Sequence, residues 1–157
     1  MTAPSETRVR AVHPAIEAAL KEGLDEAMIR RVVDRFYARA REDDVIGPVF
    51  RRVVPDAEWQ AHLAKIADFW SSMLLGTGRY DGRPMPKHFA IAELDDAHFK
   101  RWLALFRLTV EEECPPATAA LLIDRSERVG NSFRINIKMH RGEEIIHLKP
   151  LEREELS

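Results

Sequence analysis

Four ring side chains carry the chemistry this sequence can offer: His88, His62, Tyr37 and Trp102. His88 lies in Arg83-Pro-Met-Pro-Lys-His-Phe-Ala-Ile91, just after a Gly/Pro-rich loop and beside apolar residues. A histidine held there can offer a neutral imidazole nitrogen to an iron. His62 is the one polar interruption in a stripe of Trp59, Leu63, Ile66, Phe69, Trp70 and Met73. Tyr37 falls on the inner face of an earlier helix, beside Phe36, and Trp102 on that of a later one with Phe99, Phe106 and Val110. One imidazole to ligate and a group of hydrogen-bonding rings to face it is the inventory of a haem pocket for a small gas.

Each ring also has a plainer reading. A buried tyrosine hydroxyl needs a partner, but a backbone carbonyl serves. A lone histidine in an apolar stripe can bond a carbonyl in the same way. Trp102 can sit at a rim with its N–H in water. Taken together, four inward polar rings in a small core are harder to satisfy one by one. Each costs ~1–3 kcal/mol if left unpaired, and a polar ligand in a shared cavity would serve several.

The elements that must position these rings are all helical by periodicity. A short helix is opened by Pro14 and closed by Gly23, with His13 outside it on the surface. The next runs from about Glu26 to Arg41, N-capped by Asp25. Asp43-Asp44 and Gly47-Pro48 end it, and Phe50 sits in the connection from Val45 to Val54. That ring either plugs a core gap or stacks on a flat ligand. A further helix spans about Asp56 to Leu75. Gly76 to Pro86 holds three glycines and two prolines in eleven residues, which predicts a loop. Lys87, Arg79 and Tyr80 give that loop donors and positive charge. A helix from Asp95 or Asp96 to Cys114 leaves His98 exposed, and the last helix spans Pro116 to His140. The charged tail after Arg141 is either a short surface helix or mobile. No strand is evident, so the class is all-α.

Composition sets bounds. A chain of 157 residues suits one domain with one core. Apolar residues make up 45% and charged residues 32%, ordinary for a soluble globular protein. A formal net charge of -2 gives no reason to expect nucleic acid or acidic lipid. Cys114 is the only cysteine, so an intrachain disulfide and a four-cysteine iron–sulfur site are excluded. A cytoplasmic location is expected. The first residues lack an apolar signal core, and no apolar run approaches the ~20 residues of a membrane span.

Other site chemistries fit less well. There is no His-Glu-x-x-His helix for zinc, and no inward Glu-x-x-His pair for a di-iron bundle. Cys-x-x-Cys-His is absent, so haem cannot be attached covalently by that route. Nothing marks a hydrolase nucleophile, and the glycine loop lacks the Gly-Lys-Ser/Thr of a phosphate cradle.

Longer stretches resemble a known family. Phe36-Tyr37, Gly47-Pro48-Val-Phe50, Trp59-x-x-His62 and Lys65-Ile66-x-x-Phe69-Trp70-x-x-Met73-Leu74-Leu75-Gly76 are similar to the third, bacterial group of truncated haemoglobins. So are Tyr80-x-Gly82-x-Pro84-x-x-Lys87-His88 and Phe99-x-x-Trp102-x-x-Leu105-Phe106. The resemblance covers about residues 26–140, leaving 1–25 as an extension and 141–157 as a tail. It implies a two-over-two helical sandwich around haem b, an iron protoporphyrin IX. His88 then takes the proximal position, Tyr37, His62 and Trp102 the distal ones, and Phe50 the haem face. Ile66, Phe69, Phe99, Phe106 and Phe133 are further expected cofactor contacts, and Lys87, Arg79 and Tyr80 are expected near the propionates. The implied function is reversible binding of O2, CO, NO or cyanide, by a monomer or weak homodimer. The alternative is NO dioxygenase or peroxidase chemistry served by a separate reductase, because no flavin or NAD domain is present.

Overall fold

The computed structural model describes residues 13–152 and Leu156. Expectations for residues 1–12, 153–155 and 157 lie outside the described residues. Among the described residues there are seven α-helices and no strand: α1 (Pro14–Lys21), α2 (Glu26–Glu42), α3 (Gly47–Val53), α4 (Trp59–Leu75), α5 (Pro84–Phe89), α6 (Asp96–Glu113) and α7 (Pro116–His140). A short 3-10 turn, Asp56–Glu58, leads into α4.

Local chemistry sets the helix boundaries. His13, though exposed, is the N-cap of α1: its Nδ1 accepts from the Ala15 N–H at 3.1 Å. Asp25 caps α2 through the Met28 N–H at 2.8 Å. Asp95 and His98 form a reciprocal capping box on α6. His98, expected to be exposed, is therefore held at 18% side-chain exposure. The N-terminus of α7 has no cap of its own. Glu22 supplies one from the end of α1, accepting from the N–H groups of Ala117 and Thr118 at 3.0 and 2.9 Å. Those bonds hold its carboxyl below the usual range.

Helices α2 and α4 pack as one layer and α6 and α7 as the other, joined through α2 on α6. This is the expected two-over-two sandwich. Its centre is an aromatic stack. Phe106 lies near-parallel to Trp70 and to Trp102, at 5.3 and 5.4 Å between centroids. Phe36 meets Phe106 and Trp102 edge-on. Phe36 and Phe106 are fully buried, a transfer term of roughly 1.5–3 kcal/mol each. The aromatic geometry adds about 0.5–1.5 kcal/mol per pair.

Two stretches read as irregular are helical. The connection carrying Phe50 is α3, and the Gly/Pro loop ends in α5. Both open with proline near their first position, where the missing N–H removes no helical bond. Gly47 is required at the start of α3: a Cβ there would lie 2.6 Å from the Arg41 carbonyl oxygen. The tail from Arg141 to Glu152 is neither helical nor loose. Arg134, itself buried, donates to the Lys149 carbonyl at 2.6 Å, and the Leu151 N–H donates to Asn131. These bonds lay the tail back along α7. None of the described helices is long and apolar enough to cross a membrane.

Candidate functional site

Three of the four rings come together on one side. Tyr37 on α2 is buried, with its ring edge-on to His62 of α4 at 6.1 Å and to Phe50 of α3 at 5.6 Å. Trp102, whose indole can only donate, lies close enough to lower the pKa of the Tyr37 hydroxyl. Burial pushes the Tyr37 pKa up to about 12, partly offset by the neighbouring Trp102. The phenol is a neutral donor at any ordinary pH.

His62 is the exception to good bonding. Its Nε2 is buried and has no hydrogen-bond partner in the protein. Burial lowers its pKa, and the nearby charges of Lys87, His88 and Lys65 lower it further. The ring is therefore neutral at pH 7, yet one of its polar atoms is unpaired away from water. That costs ~1–3 kcal/mol unless a ligand meets it.

His88 is positioned by α5. Its Nδ1 lies 2.6 Å from the Pro84 carbonyl oxygen, one helical turn earlier. A carbonyl only accepts, so Nδ1 carries the hydrogen and Nε2 presents its lone pair. Burial lowers the His88 pKa, the Pro84 bond opposes this, and Lys87 lowers it again. The Phe133 ring of α7 meets His88 at 4.7 Å, inclined 68°. A neutral imidazole with a fixed tautomer and an available Nε2 is what an iron ligand requires.

The remaining expected contacts divide. Phe50, Ile66, Phe69, Phe99 and Phe133 are half-buried, large apolar groups that the protein core does not cover. Tyr80 packs edge-on against Phe69 at 5.3 Å, and its N–H is held by Ser72. Lys87 is exposed beside His88. Two expectations do not match their surroundings. Phe106 is 1% exposed and covered by Trp70, Trp102 and Phe36, so it backs Trp102 rather than lining an open face. Arg79 is ion-paired with Glu26 of α2, which occupies its charge.

The sequence reading missed a buried tie behind the Tyr37 and Trp102 rings. Asp43, buried at the end of α2, accepts from Arg101 Nε at 2.8 Å and from the N–H groups of Val45 and Ile46. Burial alone would raise its pKa; the bonds from Arg101, Ile46 and Val45 together overrule this and hold it low. Arg101 precedes Trp102 on α6, so this pair joins the α2–α3 corner to the helix carrying the indole. Asp43-Asp44 was legible as a helix terminator, but nothing in the sequence pointed to its partner 58 residues away.

These residues fit the haem that the resemblance implies. An orphaned His62 nitrogen, a free Nε2 on the tautomer-locked His88 and uncovered apolar rings are the surroundings a planar iron cofactor would complete.

Comparison with known proteins agrees. The model of the family described as bacterial-like globin matches residues 21–129. The group 3 truncated haemoglobin ctb of Campylobacter jejuni is 30% identical over 115 residues, covering 72% of this chain and 91% of that protein. A crystal structure of group III truncated haemoglobin from Campylobacter jejuni superposes with a TM-score of 0.70 at 30% identity, covering 74% of this chain and 93% of the other.

Proposed function

Because this chain belongs to the bacterial-like globins, and among them to the third group of truncated haemoglobins, it is a haem-binding globin, and we propose that it reversibly binds O2 and other small diatomic ligands at an iron held by His88. The proposed cofactor is haem b, retained without a covalent link. Haem held there would supply an iron able to take a small gas as ligand.

The chain's own residues do the rest. His88 presents Nε2 while the Pro84 carbonyl fixes its tautomer. On the other side, the buried Tyr37 hydroxyl stays protonated and has its proton to donate. A ligand that gathers negative charge gains from this donor by ~1.5–3 kcal/mol. His62 Nε2, without a protein partner, supplies a second polar contact. The orphaned His62 nitrogen, on a ring that the buried Tyr37 meets edge-on, is the observation that carries the proposal. Ile66, Phe69, Phe99 and Phe133 provide apolar contacts to the porphyrin, and Lys87 and Tyr80 lie where they can meet its propionates.

Stopped-flow measurement of O2 release from Tyr37→Phe tests this reading. Release should quicken about tenfold, the equivalent of roughly 1.4 kcal/mol. An unchanged rate would remove tyrosine from the account. The same donors suit NO dioxygenase or peroxidase turnover with a separate reductase. Steady nitrate formation from O2, NO and a supplied reductase would favour that second reading, and a single stoichiometric burst would favour binding alone.

A further inference from the structure

Helix α5 carries the proposed iron ligand, yet it is the least self-sufficient element in the fold. It has six residues and no side-chain N-cap bond. Among the helices it packs against α7. So short a helix does not stand alone, because the cost of its first turn is not recovered.

What grips it is the end of α7. His140 stacks on Phe89 with centroids 4.1 Å apart and ring planes 1° apart. Arg141 follows as the C-cap of α7. Its backbone is set by a glycine turn: Gly142 at φ +74 donates to the Met139 carbonyl, and Glu143 donates to that of Lys138. The Arg141 side chain then reaches the connection between α5 and α6. Nη1 donates to the Leu94 carbonyl at 2.6 Å; Nη2 donates to those of Ile91 and Ala92 at 3.2 and 3.1 Å. The Ile91 N–H in turn donates to the carbonyl of His88 itself, at 3.1 Å.

We propose that Arg141 is a positioning residue for His88. By holding three carbonyls of the segment that leaves α5, its guanidinium fixes how α5 lies and hence where Nε2 is presented. The inference rests on the reading of His88 as the iron ligand. Arg141 lies beyond the residues 21–129 matched by the family model, so family membership does not assign it this part. The planar fork matters, because a lysine offers a single nitrogen and cannot span carbonyls from Ile91 to Leu94. Glu93 keeps a separate ion pair with Arg52 of α3. Loss of Arg141 therefore loosens the segment without releasing it.

The test uses full-length, haem-loaded Arg141→Met and Arg141→Lys. The readings are the ferrous iron–histidine stretching band by resonance Raman and amide exchange at Ile91 and Leu94. Arg141→Met should keep its haem, show a shifted or broadened band, and exchange these amides about tenfold faster as the segment opens locally. Arg141→Lys should show the same changes, weaker in degree. An unmoved band with unchanged exchange in Arg141→Met overturns the proposal. If that variant fails to load haem, Arg141→Lys decides on the same two readings. A parent protein with no iron–histidine band, or a band that survives His88→Gly, refutes the reading of His88 instead, so the two failures are distinct.

Discussion

The two walls of the site are built in opposite ways. The Tyr37 and Trp102 side belongs to long helices and is backed by the stack of Phe36, Phe106 and Trp70, all nearly inaccessible. The His88 side is a six-residue helix, half-buried, leaning on α7 and on the segment just past its end. The Tyr37 and Trp102 wall is thus a by-product of the hydrophobic core. The His88 wall depends on a few polar bonds near the surface. A damaged core should cost the molecule its stability, whereas a damaged His88 wall should cost it the proposed coordination while the fold survives.

The strongest challenge to that contrast is Phe106→Ala. The cavity it leaves under Trp102 should reduce unfolding free energy by about 3–5 kcal/mol. Denaturant titration measures this; a loss below about 1 kcal/mol would mean that the stack does not anchor the distal wall.

Asp43→Ala should come next, at about 1–3 kcal/mol, since it removes the acceptor of two turn N–H groups and one of the partners of Arg101. The effect has a pH signature. The Asp43 pKa is lowered in the fold from 3.8, so at low pH the unfolded chain binds more protons. Its contribution is present above about pH 3.8 and is lost as pH falls through the lower folded value. Asp96, held low first by its hydrogen bond from Arg134, adds the same sign. Urea melts of the variant should therefore decline less steeply with acid than those of the parent. Equal slopes would remove Asp43 from the account.

The smallest expected effect is that of Arg79→Ala. Half exposed and paired with Glu26, this arginine should contribute less than about 1 kcal/mol to stability. The rate of haem transfer to an acceptor globin should not change. A several-fold faster transfer would return Arg79 to the propionates.

The contrast also explains what could be read from the sequence. The inward placement of Tyr37, His62 and Trp102 was legible because they sit on long helices, where a stripe such as Trp59, Leu63, Ile66 and Trp70 shows at a glance. Even there, periodicity separates inside from outside but not core from cleft, so Phe106 was expected against the cofactor and lies behind Trp102. The His88 side was legible only as a histidine after a loop. Pro84 and Pro86 read as breakers, although proline is at home in a first turn, and that turn supplies the carbonyl that orients His88. Arg141 and Asp43 act on residues distant in the chain, through contacts that only the packing of α7 and α6 creates. The expectation that His88 faces Tyr37, His62 and Trp102 across one cofactor came from the family resemblance, not from spacing.

The central claim is tested most directly by the axial coordination of haem-loaded His88→Gly. The account predicts that the ferrous iron–histidine band disappears and that added imidazole restores it. A band unaltered from the parent, with no response to imidazole, would contradict it.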